Sequence, residues 1–190
     1  MPGLMMHLTC AQYFAPDAAL PFYLGSIAPD AVCGREAKDR SHFRDRNDRP
    51  AALRALARSA EWAGDFHRGA LLHLYTDYLW DEGALHDFAQ RHGAEWFLPY
   101  RAELSRASVA LYRRNPQGAA LFQRLADCPE TDFCPLPDIT TAETAAFVRR
   151  NGLWYAEQAK TLAPAEEFTP ALVDDFLQDT AKKFAAFLAE

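Results

Sequence analysis

Phe66-His67-Arg68-Gly69-Ala70-Leu71-Leu72-His73-Leu74-Tyr75-Thr76-Asp77-Tyr78-Leu79-Trp80 is the stretch on which the fold and the chemistry of this chain turn. The pattern predicts the main helix of the protein, over Glu61–Trp80 and ended by Gly83. His73 and Asp77 stand four residues apart, so their side chains lie about 40° apart on nearly one face, one turn from each other, and can reach a common point. Imidazole and carboxylate together are ordinary zinc ligands. The neighbours are mostly apolar, where a carboxylate is expensive unless a cation meets it. A neutral histidine hydrogen-bonded to a carboxylate one turn away is an adequate structural account of the pair taken alone. His67 falls on another face of the helix, exposed or behind the ligands. Gly69, one turn before His73, leaves room for a second backbone or a ligand to approach.

Outward from this helix the chain keeps reading as helical. Apolar residues at helical spacing run from Leu4 to Phe14, Pro16-Asp17 marks a break, and a short helix follows from about Ala18 to Ile27. It stops at Ala28-Pro29-Asp30, because the residue before a proline is pushed out of the helical region. Residues 31–50 are the most polar part of the chain, read as a loop or a loosely helical excursion. Within it, Ser41-His42-Phe43 is an apolar and coordinating interruption. Pro50 suits a first helical turn, with Ala51–Ser59 behind it. After Gly83 the reading is helical from Ala84 through the early 110s, kinked near Pro99, and helical again over 116–126. Pro129, Pro135 and Pro137 make 128–140 an irregular loop of the kind that serves as a lid or binding loop. Thr141 opens a helix running to about Leu162, and Thr169-Pro170 caps a last one over Ala171–Leu188. No alternating strand pattern, internal repeat or low-complexity tract interrupts this. The expected fold is therefore all-α, a single-domain multi-helix bundle over residues 1–190; 190 residues with 49% hydrophobic content suffice for one core.

The formal charge of −6 and the scatter of Lys and Arg along the chain argue against duplex nucleic acid as a partner. Cys10, Cys33, Cys128 and Cys134 form no Cys-x-x-Cys pair and read as reduced thiols. No signal-peptide pattern opens the chain and no segment has the roughly 20 apolar residues of a membrane span, so a cytoplasmic protein is expected.

Further candidate ligands stand on separate elements: His7 in the first helix, Asp30 at the end of its tight turn, and His42 inside the charged run, each beside apolar residues. A buried metal site needs ligands gathered in this way. His7, the run Phe22-Tyr23-Leu24-Gly25-Ser26-Ile27-Ala28-Pro29-Asp30, Ser41-His42, and Phe66-x-x-Gly69-x-x-x-His73-x-x-x-Asp77 occur in an order and spacing that resemble the bacterial zinc-dependent phospholipase C family, related to the S1/P1 nucleases. The likeness covers roughly residues 5–80. It implies a mostly helical fold of the phospholipase C/P1 nuclease kind and phosphoester hydrolysis. It also implies Asp30, His42, His73 and Asp77 as ligands of one Zn2+, with His7 ligating a neighbouring one that shares Asp77. The chain departs from that family in two places. It starts with Met1 instead of the mature N-terminal Trp whose amine and carbonyl bind metal in the secreted enzymes. It also has no His-x-x-x-Glu pair for a further zinc; His86 or Glu82 are the secondary candidates, and His92 with Glu95 a poorer one. One or two ions are accordingly expected.

A metal with an open position lowers the pKa of coordinated water to about 7, and the metal-bound hydroxide attacks a phosphoester in line. Asp30 is then the catalytic carboxylate that takes the water's proton. Arg35, Lys38, Arg40 and Arg44 are placed to meet an anionic substrate or, as ordinary surface charges, their acidic neighbours. Two other readings stay open: a metal-binding helical protein without turnover, and a helical interaction module carrying a relic site.

Overall fold

The computed structural model describes residues 2–189 and contains helices and turns, with no strand among those residues. Two helices are apolar nearly all round and therefore lie inside. The first is α1 (Leu4–Phe14), in which Leu4 through Ala11 are all buried. Its partner α2 (Leu20–Ile27) begins with Pro21 in its first turn and gives way at Ala28–Ala31 to a 3-10 turn that presents Asp30. The charged run contains a short exposed helix, α3 (Arg35–Ser41), followed by His42 and a turn in which Phe43 takes a positive φ of 55°. Asp48 caps α4 (Arg49–Arg58) by accepting from the Ala51 amide at 2.8 Å.

A third helix runs inside beside them, α5 (Asp65–Trp80), which starts later than the sequence pattern suggests because Ala60–Trp62 form a separate 3-10 turn. Its approach to α2 sets the architecture. A Cβ on Gly25 would stand 1.8 Å from the Phe66 carbonyl oxygen, and one on Gly69 would stand 1.9 Å from that of Phe22. The two helices thus touch backbone to backbone through reciprocal glycines, and the room at Gly69 is taken by a backbone and not by a ligand.

Gly83 does not end this helix. The chain passes through a π-helical turn at Asp81–Leu85 into α6 (His86–His92). Asp81 opens that turn with its carboxylate held by Arg44 and Arg49, and the left-handed glycine that does stop the helix is Gly93, at φ 62°. The expected continuous stretch from Ala84 is broken at Gly93–Glu95, and α7 (Phe97–Arg114) takes Pro99 in its first turn, where no kink follows. Next come α8 (Pro116–Ala126), capped by Asn115, and an irregular passage with one 3-10 turn at Glu130–Asp132 and a tight Leu136–Ile139 bridge. A capping box formed by Thr140 and Glu143 starts α9 (Thr141–Gln158), which opens at Thr141 and ends short of Leu162. α10 (Pro170–Ala189) packs on α1 and closes the bundle. One hydrophobic cluster runs through these elements from Leu4 to Phe187. Among the described residues, no helix is long and apolar enough to cross a membrane.

Candidate metal centre

Close contact between α2 and α5 brings the turn after α2 beside the middle of α5. His7 arrives from α1 and His42 from the end of α3. The result is two overlapping groups, His7 with Asp30 and His73, and His42 with His73 and Asp77, in which one nitrogen or oxygen from each member lies within 4.8 Å of the others. All five residues are buried. His7 Nε2 is 3.3 Å from Asp77 Oδ1, His42 Nε2 is 3.5 Å from Asp77 Oδ2 and 3.9 Å from Asp30 Oδ1, and His73 Nε2 is 4.0 Å from Asp77 Oδ2. Ligands about 2.0–2.1 Å from a tetrahedral zinc stand roughly 3.4 Å from one another, so these separations suit a common cation.

The hydrogen bonds behind the cluster decide which ring nitrogens face it. His73 Nδ1 lies 2.9 Å from the Ser26 carbonyl and His42 Nδ1 lies 3.0 Å from the Lys38 carbonyl. A carbonyl only accepts, so Nδ1 carries the proton in both rings and each Nε2 presents a lone pair to the centre. Neither Nε2 has a hydrogen-bond partner, and neither oxygen of Asp77 has one. The His7 and His73 rings stack with centroids 3.6 Å apart, an arrangement unfavourable to two imidazolium ions.

Electrostatics reinforce this. Burial pushes His42 down to about 4, against the pull of Asp77 and Asp30. Burial, helped by His7, pushes His73 down to about 3. Burial alone would raise Asp30, but the Lys38 ammonium, 2.9 Å away, holds it below the usual carboxylate range. Burial would raise Asp77 too, and the contact with His7 and the surrounding imidazoles lower it further than burial raises it. At neutral pH the centre thus contains two carboxylates and imidazole lone pairs pointed at one another. Lys38 and Arg44, the latter with Nη2 3.6 Å from Asp77 Oδ2, offset part of that charge from the rim. Neither relieves the facing acceptors, and a divalent cation would. The donor set of nitrogen and carboxylate oxygen fits zinc.

The other sequence candidates fall elsewhere. Glu82 and His86 are exposed on the π turn and α6, where His86 Nε2 meets Gln90 at 2.7 Å. His92 pairs with Glu167, not with Glu95. His67 is half-buried against Trp62 and Phe66. Of the basic residues expected to meet substrate, Arg44 binds Asp81, Arg40 faces Asp138 and Arg35 faces Asp39. The holders of the two ring tautomers, the carbonyls of Ser26 and Lys38, carry no residue-type signal. The only trace is that His42 follows Lys38 by four residues, at the C-terminal end of a short helix. Comparison with known protein families, with curated proteins and with solved structures finds no match for this chain.

Proposed function

We propose that the protein is a zinc-dependent phosphoester hydrolase whose ion is held by His42, His73 and Asp77, with Asp30 and His7 completing one centre or building a second beside it. The single observation that carries this is the convergence of unpartnered imidazole lone pairs on the Asp77 carboxylate, in a place sealed from water. The sequence resemblance to the zinc-dependent phospholipase C family supports the choice of phosphoester. Bound zinc supplies a Lewis acid for phosphoryl oxygens and a lowered pKa for coordinated water.

Asp30 is the member of the cluster with a way out: its exposure is 8%, against 1% or less for the other four. It also lines a surface cleft of about 480 Å³ together with Lys38. Substrate enters from that side. The pairing with Lys38 keeps Asp30 ionised but weakly basic. An incoming phosphoryl group draws the ammonium toward its oxygens and frees the carboxylate to take the proton of the attacking water. The water oxygen bonds to phosphorus, the ester P–O bond breaks, and the departing alkoxide takes a proton from solvent.

The near-complete burial of the other four ligands favours a second reading, a closed structural zinc site without turnover. Elemental analysis after expression with zinc tests what the two readings share: about one equivalent is expected, less than a tenth would remove both, and His73→Ala should lose the metal. Chelator-sensitive hydrolysis of bis(p-nitrophenyl) phosphate then separates them. Zinc without turnover selects the structural site.

A further inference from the structure

The cleft beside Asp30 has a lining out of keeping with the rest of the molecule. The chain has 26 acidic residues against 20 basic ones, yet this cleft presents Lys38, Arg101 and Arg150 against the single carboxylate of Asp30. Lys38 already matches Asp30 at 2.9 Å. The two arginines are therefore surplus, coming from α7 and α9, and find no carboxylate partner among the described residues. Arg150 rests over the Phe147 ring, 5.6 Å from its centroid, which holds the guanidinium at the wall without neutralising it. Trp154, one turn after Arg150 on α9, lines the same wall and is 36% exposed, an indole face left partly bare beside two unmatched cations. Guanidinium pairs hold phosphate oxygens in bidentate fashion, and a bare indole covers an apolar or aromatic group.

We propose that this cleft is the substrate side of the metal centre, that Arg101 and Arg150 hold the phosphoryl oxygens, and that Trp154 covers the organic half of a soluble aryl or similarly apolar phosphoester. The inference rests on the hydrolase reading for its role and adds the substrate class and three binding residues from the second half of the chain. Lys38 is the bridge between the two, since it touches Asp30 and lines the cleft.

The test uses zinc-loaded full-length protein and isothermal titration with two non-hydrolysable probes, phenylphosphonate and methylphosphonate. Phenylphosphonate should bind the tighter. Arg101→Met and Arg150→Met should each weaken both probes by about tenfold or more, as loss of a charge-assisted hydrogen bond does, with zinc content and melting temperature unchanged. Trp154→Ala should bring phenylphosphonate down to the methylphosphonate value, and Arg150→Lys should restore part of the lost affinity. Zinc retained with unaltered probe affinity in both arginine variants would overturn the cleft assignment and leave the metal centre standing. Arginine-dependent binding to a protein that takes up no zinc would do the reverse. Arginine-dependent sedimentation with phosphatidic acid vesicles, without affinity for phenylphosphonate, would overturn the soluble substrate class.

Discussion

Glu103 and Asp77 are both buried carboxylates on long helices, and the fold treats them in opposite ways. Glu103 on α7 receives the backbone amides of Glu166 and Glu167 at 2.9 and 2.8 Å, that of Phe168 at 3.4 Å, and Arg106 at 2.9 Å. Burial would raise its pKa, and those donors hold it below the usual range. Its negative charge is fully used in tying the segment before α10 to α7. Asp77 is buried among rings that offer it no well-formed hydrogen bond. A carboxylate surrounded by donors is a structural tie, whereas one surrounded by acceptors is half of a site.

The largest effect should come from removing the ion proposed to sit on Asp77. A ligand at a thousandfold excess over its dissociation constant stabilises by about 4 kcal/mol. For a chain of this size that corresponds to a fall of roughly 8–16 °C in melting temperature on treatment with dipicolinate. An unchanged melt would mean that Asp77 is satisfied as Glu103 is, by the protein alone.

Gly69→Ala should cost at least about 1–3 kcal/mol, because its Cβ would meet the Phe22 carbonyl at 1.9 Å and force α2 away from α5. Zinc content should fall with it, since Ser26 and Asp30 move with α2. Full zinc occupancy in a folded variant would detach the site from that helix crossing. Glu103→Ala should cost about 1–3 kcal/mol in urea unfolding, through the three amides and the guanidinium it strands, and leave zinc content unaltered.

Acid should expose the same contrast in metal-stripped protein. His42 and His73, held neutral with folded values of about 4 and 3, bind fewer protons folded than unfolded, where the ordinary value is about 6.5. Their contribution is present above that value and is lost as pH falls below it, by up to about 1.4 kcal/mol per pH unit for each ring. The depressed carboxylates, Glu103 included, enter only at lower pH, below the ordinary carboxylate range. Denaturation midpoints flat from pH 7 to 5 would show that the imidazoles are not held neutral. The smallest effect belongs to Glu82→Gln and His86→Ala, exposed changes expected to stay within about 0.5 kcal/mol and to keep all the zinc.

The helical class and most element positions were legible because apolar spacing and proline placement are local properties. Thus α1, α2, α4 and α10 begin and end close to where Leu4, Pro29, Pro50 and Thr169-Pro170 put them. Gly83 misled, because a glycine can sit inside a π turn as readily as after a helix, and the contacts that settle it, from Arg44 and Arg49 to Asp81, are separated in sequence by more than thirty residues. The five candidate ligands were legible as residue types in order, since His73 and Asp77 share one helix face and the others sit beside it in a recognisable succession. Their convergence was not. It depends on two glycines, Gly25 and Gly69, letting two backbones touch, and on carbonyls that turn the imidazoles inward. The arginine cleft lay beyond reach for the same reason, as Lys38, Arg101 and Arg150 look like scattered charges until three helices bring them together. Sequence by itself determined which segments coil and which side chains are able to bind a cation, because both follow from neighbours one to four residues away. Only the tertiary structure decided what those side chains face, because burial and orientation are set by partners far off along the chain.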